Sequence, residues 1–202
     1  MMARNYEKLS EAYYDKIAAR FDWSIDGLLS YPFKRLINHE LHLQHGQQLL
    51  DVGCANGRLL ALLNRQAKIQ ATGLDISAQM IALAKKRLPR GRFVCASAER
   101  LPFADGEFDY VICSASFHHF PDPDLFLQEA KRCLEKQGRL IIAEVNIPIF
   151  HDFYNRHVAA TSEDGDVKAY RPSELSVLFQ RNGWQIQKRR LIFQIQYYEL
   201  SL

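Results

Sequence analysis

Three short stretches carry residue types whose spacing suits chemistry. Leu49–Gly57 (LLDVGCANG) runs from an apolar pair to a carboxylate, Asp51, and then to the small residues Gly53, Ala55 and Gly57, before the periodic Leu59, Leu60, Leu62 and Leu63. That order reads as strand, tight turn, helix. Gly53 and Gly57 permit positive φ and a close approach by a ligand, and the helix starting near Asn56 offers unpaired N–H groups and a positive dipole end. The turn therefore suits a negative or polar ligand group, although the same glycines also make a plain βα turn. Eighteen residues beyond Gly57, the stretch Ile69–Asp75 (IQATGLD) reads as a second strand ending in an acid, with Ser77 as N-cap of a helix over Ala78–Arg87. An acid about twenty residues after a glycine turn is placed to accept from both hydroxyls of a ribose. A helix-capping or ion-paired carboxylate is the alternative. The third stretch holds His118 and His119, just beyond the fourth predicted strand. Ligands of an open parallel sheet lie outside the carboxyl ends of its strands. One of these adjacent histidines is expected to face that space and the other to enter packing or a loop hydrogen bond. An imidazole near its usual pKa of about 6.5 can remove a proton at neutral pH, whereas two loop-shaping histidines would do no chemistry.

Taken together, these residues resemble the class I S-adenosylmethionine-dependent methyltransferases. The family's first motif is an acid followed by glycines in a GxGxG spacing, which Asp51, Gly53 and Gly57 match with Ala55 in the middle position. The dinucleotide fingerprint GxGxxG fits worse, since Ala55 and Arg58 stand where it needs glycine. Residues 101–123 (LPFADGEFDYVICSASFHHFPDP) resemble the family's fourth-strand region over nearly their whole length, and residues 14–31 (YDKIAARFDWSIDGLLSY) resemble the opening of quinone-ring C-methyltransferases.

The resemblance implies methyl transfer from S-adenosyl-L-methionine to a small-molecule acceptor by in-line displacement, with S-adenosyl-L-homocysteine as product. It implies Asp51 near the methionine amino group or held to loop amides, and the turn of Gly53, Cys54, Ala55 and Gly57 around the methionine moiety. Asp75 goes to the ribose, Ile76 and Met80 to the adenine as apolar contacts, and Ser97, Ala98 and Glu99 to the adenine edge. Ser97 stands where the family commonly has an acid, so its bond should be weaker than a carboxylate's. Ser114 to Ser116 line the methionine end, Tyr14 belongs to a segment folding over the cofactor, and by the family's usual pattern His118 is the catalytic candidate. Because the sulfonium already activates the methyl group, few catalytic side chains are required.

The elements that position these groups follow from periodicity. Residues 1–46 read as helices, with Tyr14, Ile17, Ala18 and Phe21 on one apolar face and Phe33, Leu36, Ile37 and Leu41 on another. They are expected to form a cofactor lid and a sheet cover, or, for Tyr13, Tyr14 and Phe21, only a core. Residues 47–202 read as the methyltransferase core. Its strands are Arg92–Ala96, Phe108–Cys113 and Arg139–Glu144 after the first two, its helix from Pro123 closes at Gln137 and Gly138, and a helix over Ser173–Asn182 precedes two final strands. Residues 146–171 form an acceptor-site insertion. The predicted fold is α/β: a single Rossmann-like domain with a seven-stranded, mostly parallel sheet, an antiparallel C-terminal hairpin strand and helices on both faces.

With 202 residues the chain suits one domain. A net charge of +3 is too mild to argue for a polyanionic partner, and the basic group Lys85, Lys86, Arg87, Arg90 and Arg92 sits at a helix C-terminus without interleaved aromatics. The alternatives are a catalytically silent S-adenosylmethionine or nucleoside-binding protein, which would keep Asp75 and the glycine turn, and, less favoured by these residues, a nucleic-acid methyltransferase or a dehydrogenase. Cys54, Cys95, Cys113 and Cys133 show neither a CxxC pair nor Cys/His ligand spacing, so reduced, buried thiols and no metal are expected. Without a signal segment or membrane span, a cytoplasmic monomer or homodimer is expected.

Overall fold

The structure, a computed structural model, describes residues 5–202. Apolar residues alternate along the central strands so that both faces of the sheet are buried. In β1 (Gln48–Val52), Leu49 enters one core and Leu50 the other. In β4 (Phe108–Ser114), Ile112 parts from Val111 and Cys113, and in β5 (Leu134–Val145), Ile141 parts from Leu140 and Ile142. Such two-sided burial requires helices on both faces. One face is covered by Phe33 and Ile37 of α2 (Ile25–Glu40), Leu59, Leu60 and Leu63 of α3 (Arg58–Ala67), and Ile81 and Ala84 of α4 (Ala78–Arg87). The other is covered by Phe126, Leu127 and Ala130 of α5 (Pro123–Cys133) and by Leu175, Leu178 and Phe179 further along the chain.

With β2 (Gln70–Asp75), β3 (Arg92–Cys95), β6 (Gln185–Ile192) and β7 (Ile195–Ser201), the sheet has the order β3-β2-β1-β4-β5-β7-β6. Only β7 runs against its neighbours, inserted between β5 and β6 and paired from Val145↔Ile195 to Leu140↔Leu200. The predicted seven-stranded α/β sheet with its antiparallel hairpin strand is the one found. Strand order reverses between β1 and β4, which opens a crevice at their carboxyl ends.

Local signals set several boundaries. Ser77 Oγ accepts from Met80 N at 3.1 Å, and Asp122 Oδ1 accepts from Asp124 N and Leu125 N at 3.1 Å with Pro123 opening α5. Other expectations are corrected. The first helix, α1 (Tyr6–Ile17), stops short of Phe21, and the chain continues as a tighter turn over Ala18–Trp23 until Ser24 caps α2. The helix α5 ends at Cys133 and not at Gln137, because Leu134 already pairs with Phe108 as the start of β5. Residues 146–171 contain a short irregular helix, α6 (His151–Phe153), continuing to Thr161, and α7 (Pro172–Arg181) follows. Cys95 is exposed, while the other three cysteines are buried and all four are free. No helix among the described residues is long and apolar enough to cross a membrane.

Candidate cofactor and acceptor site

The turn after β1 is built around left-handed backbone. Gly53 has φ +75° and Gly57, which precedes α3, has φ +73°. A Cβ on Gly53 would lie 2.3 Å from Ser116 Oγ, so the position excludes a side chain on both conformational and steric grounds. Ala55 also sits at positive φ, +46°, where its methyl group costs about 1–2 kcal/mol relative to the right-handed region. Gly53 N and Cys54 N both donate to Leu74 O, at 2.8 and 2.9 Å, which ties the turn to the end of β2. Asp75 completes the tie: its Oδ2 accepts from Ala55 N at 2.8 Å and its Oδ1 from Ser77 N at 2.9 Å. An ionised carboxylate has about four acceptor sites, so acceptor capacity remains for a ligand. Burial raises the Asp75 pKa to about 6 against the opposing effect of these amides.

A cavity of about 270 Å³ opens over this turn at the carboxyl ends of the strands. Of the residues expected at the cofactor site, Tyr14, Gly53, Ala55, Asp75, Ile76, Ala98, Glu99, Ser114, Ser116 and His118 line it. Asp51, Cys54, Gly57, Met80 and Ser97 are not on its walls. Cys54 joins the core beside Gly73, and Gly57 packs on Ala84 and Phe93. Met80 is buried with Ile17, Ala18 and Phe21 under the N-terminal segment. Ser97 Oγ donates to Glu7 Oε1 at 2.5 Å.

Asp51 is almost fully buried, and its Oδ1 has no hydrogen-bond partner among the described residues. Burial raises its pKa to about 7, with the Lys34 charge opposing. Lys34 was missed in the sequence. Its ammonium, on the cavity wall, donates to Ser30 Oγ at 2.8 Å, and burial lowers its pKa to about 8 while Asp51 works the other way. The available signal was its spacing: Lys34, Ile37 and Leu41 follow i, i+3, i+7, which turns a lysine to the buried face of α2.

The helix α1 closes the cavity from above. Tyr14 Oη lies 3.0 Å from His119 Nε2, Ser10 Oγ donates to Asp164 O at 2.9 Å, and Asp15 Oδ1 accepts from Ser77 Oγ at 2.5 Å and Gln79 N at 3.1 Å. Asp22, just beyond, accepts from Arg87 at 2.5 Å and from Asn56 Nδ2 at 2.9 Å. Arg87 is thereby committed to an internal tie, and Arg92 pairs with Glu107 at 2.6 Å, so two of the five clustered basic residues have intramolecular partners.

Both histidines, and not one, reach the cavity wall. His118 Nδ1 lies 2.6 Å from Glu144 Oε1, a carboxylate with no exposed surface, and His118 Nε2 lies 3.5 Å from Asp166 Oδ1. Burial opposes a charge on His118, but Glu144 and Asp166 outweigh it and hold the pKa at about 9. The two carboxylates favour the protonated ring, so His118 can act at Nε2, on an acceptor or on a ligand, only once Nε2 has given up its own proton. His119 goes the other way: burial and the His118 charge push it well below 6.5. Tyr154, Asp164 and Asp166, on the cavity wall, lie in the segment 146–171 expected to form the acceptor site though not named as site residues, and Glu144, behind His118, was not singled out.

Residues 50–142 match a family described as a methyltransferase domain. The chain is 32% identical to a demethylmenaquinone methyltransferase of Thermotoga maritima over 82% of its own length and 78% of the relative's. It is 31% identical to a ubiquinone/menaquinone biosynthesis C-methyltransferase of Rickettsia bellii, covering 75% and 68% of the two chains. The chain belongs to the class I S-adenosylmethionine-dependent methyltransferases. A methyltransferase solved in complex with the Haloferax volcanii activator Trm112 shares the fold, with a TM-score of 0.83 at 18% identity over 95% of this chain and 96% of that one. The family assignment makes this methyltransferase's cavity the place to seek both cofactor and acceptor.

Proposed function

We propose that this cavity binds S-adenosylmethionine and directs methyl transfer to a small aromatic acceptor of the reduced-quinone class. The observation that carries the cofactor reading is a pair of opposite charges: Lys34 on the cavity wall and, behind the wall but close enough for the two charges to act on each other, the buried Asp51. Lys34 suits a carboxylate and the unpartnered Asp51 Oδ1 suits an ammonium, the two groups of a methionine terminus. Ser114, on the cavity wall, has its Oγ also buried without a partner. When bound, S-adenosylmethionine supplies a methyl group already activated by its sulfonium. The chain's own work is positioning. Asp75 holds the ribose with its free acceptor sites, and Gly53 lets the ligand approach the backbone. The α1 segment closes as a lid that excludes water and aligns the acceptor.

The acceptor reading rests on the named relatives and on the apolar lining of Phe21, Leu29, Phe33, Phe120 and Val145. Exposed Trp23, Ile25, Leu28, Phe150 and Phe153 lie close in sequence to wall residues Asp26, Leu29 and Tyr154, and exposed apolar side chains of that kind suit a hydrophobic tail. Calorimetry with S-adenosylhomocysteine tests the first half, and binding of NAD in its place overturns it. Mass spectrometry of a reduced short-chain naphthoquinone incubated with enzyme and S-adenosylmethionine tests the second, with gain of one methyl group as the expected result.

A further inference from the structure

At the acceptor end of the cavity, three side chains from distant parts of the sequence converge. Asp166 Oδ1 lies 3.5 Å from His118 Nε2 and 3.3 Å from His119 Nδ1, and the ligand atoms of all three residues fall within 4.8 Å of one another. Nitrogen and oxygen ligands about 2.1 Å from a tetrahedral metal are about 3.4 Å apart, so the two spacings from Asp166 are those of ligands around one ion. We propose that His118, His119 and Asp166 bind a divalent transition metal.

Two further observations support a ligand. First, the remaining heteroatom of each side chain is already held: His118 Nδ1 by Glu144 Oε1 at 2.6 Å, His119 Nε2 by Tyr14 Oη at 3.0 Å, and Asp166 Oδ2 by the Tyr154 hydroxyl. Glu144 is itself fixed, since its other oxygen accepts from Phe117 N at 2.9 Å. A carboxylate behind a histidine, and a hydrogen bond on each further ligand, is how metal ligands are oriented and their basicity raised. Second, His119 Nδ1 has no hydrogen bond of acceptable geometry among the described residues although it is buried, and neither has Asp164 Oδ1 two residues from Asp166. An ion at the cluster satisfies the first.

Two imidazoles and a carboxylate select zinc, iron, cobalt or manganese over calcium or magnesium, which prefer all-oxygen sets. Three protein ligands leave a position open toward the cavity. The metal's role there rests on the acceptor reading above: it would favour acceptors that present a hydroxyl or phenol oxygen beside the methylated atom. The site itself does not depend on that reading.

The experiment is a cobalt(II) titration of protein stripped with EDTA and dialysed, followed by visible absorption, with zinc competition by calorimetry. One equivalent of cobalt should give intense ligand-field bands that zinc abolishes. His119→Gln and Asp166→Asn should each remove the bands, Glu144→Gln should weaken binding by about 10-fold to 100-fold, and exposed His39→Gln should change nothing. Circular dichroism and S-adenosylhomocysteine affinity of the same samples separate loss of metal from loss of fold or of the cofactor site. Absence of bands at millimolar cobalt, or bands that survive in both ligand variants, overturns the proposal and leaves the cluster a His118–Asp166 ion pair only.

Discussion

The Asp75 carboxylate accepts the Ala55 amide at 2.8 Å, so the tip of the second strand fixes the turn that follows the first. With its other oxygen on Ser77 N, Asp75 is both a structural tie and the proposed ribose acceptor.

These two roles predict a graded result. In Asp75→Ala two backbone amides lose their acceptor, at about 1–3 kcal/mol for each that stays buried, and S-adenosylhomocysteine affinity falls by about 10-fold to 100-fold or more. Asp75→Asn keeps an acceptor for one of the two amides and sets its NH2 against the other, so it should recover only part of the stability and less of the affinity. Urea melts and calorimetry on both variants separate the two effects. An Asp75→Ala variant that binds S-adenosylhomocysteine as tightly as the parent would remove the carboxylate from the ribose site.

The glycine turn gives a prediction with two signs. Gly53→Val places carbon against Ser116 in a left-handed conformation and should abolish cofactor binding with a loss of stability. Ala55→Gly relieves the strain at φ +46° and should raise stability by up to about 1 kcal/mol, less the entropy that glycine gains in the unfolded chain. Adding Ser116→Gly to Gly53→Ala should restore only the steric part of its loss. Thermal melts of the set check all three, and an Ala55→Gly variant less stable than the parent contradicts the strain.

The N-terminal helix is expected to behave as a lid. Its hold on the cavity is a few polar ties, Tyr14 to His119, Ser10 to Asp164 and Asp15 to Ser77, with a small apolar cluster around Met80. Few buried contacts imply opening at low free energy. Hydrogen exchange in residues 13–21 should slow when S-adenosylhomocysteine is added, while the central strands stay unchanged. Equal exchange with and without ligand would make the helix a fixed cover.

How much of this was legible follows from the range of the signals. The turn at Gly53, the acid at Asp75 and the caps at Ser77 and Asp122 are written within a few neighbouring residues, and all could be read. The end of α5 could not: Glu135 and Lys136 suit a helix, and only the pairing of Leu134 with Phe108 ends it at Cys133. The charge on His118 depends on Glu144, and the partner of His119 is Tyr14, more than a hundred residues away. Contacts of that kind are set by which loops return to one end of the sheet. Met80 shows the same limit, since its spacing on α4 marks an inward face without saying whether a ligand or Phe21 will cover it.

The buried pair under the turn makes cofactor binding depend on pH. The Asp51 pKa is raised by burial to about 7, above its unfolded value near 4. Between these values the folded state binds the proton and the unfolded state does not, so the contribution of Asp51 to stability falls as pH rises from about 4 to about 7 and is constant above. Binding has the opposite sign. A ligand ammonium pairs with the ionised carboxylate, so S-adenosylhomocysteine affinity should rise from pH 6 to pH 8 with a midpoint near 7. Lys34, lowered to about 8, is largely protonated at pH 7 but half deprotonated at pH 8, so the rise flattens toward the top of that window as the ligand carboxylate loses its partner. Asp75, at about 6, adds a limb lower down, which the Asp51→Asn variant should retain while losing the one near 7. Calorimetry across this range in a buffer of constant ionic strength provides the check. A parent profile without a limb near 7, or an Asp51→Asn profile that keeps it, would place the methionine ammonium elsewhere.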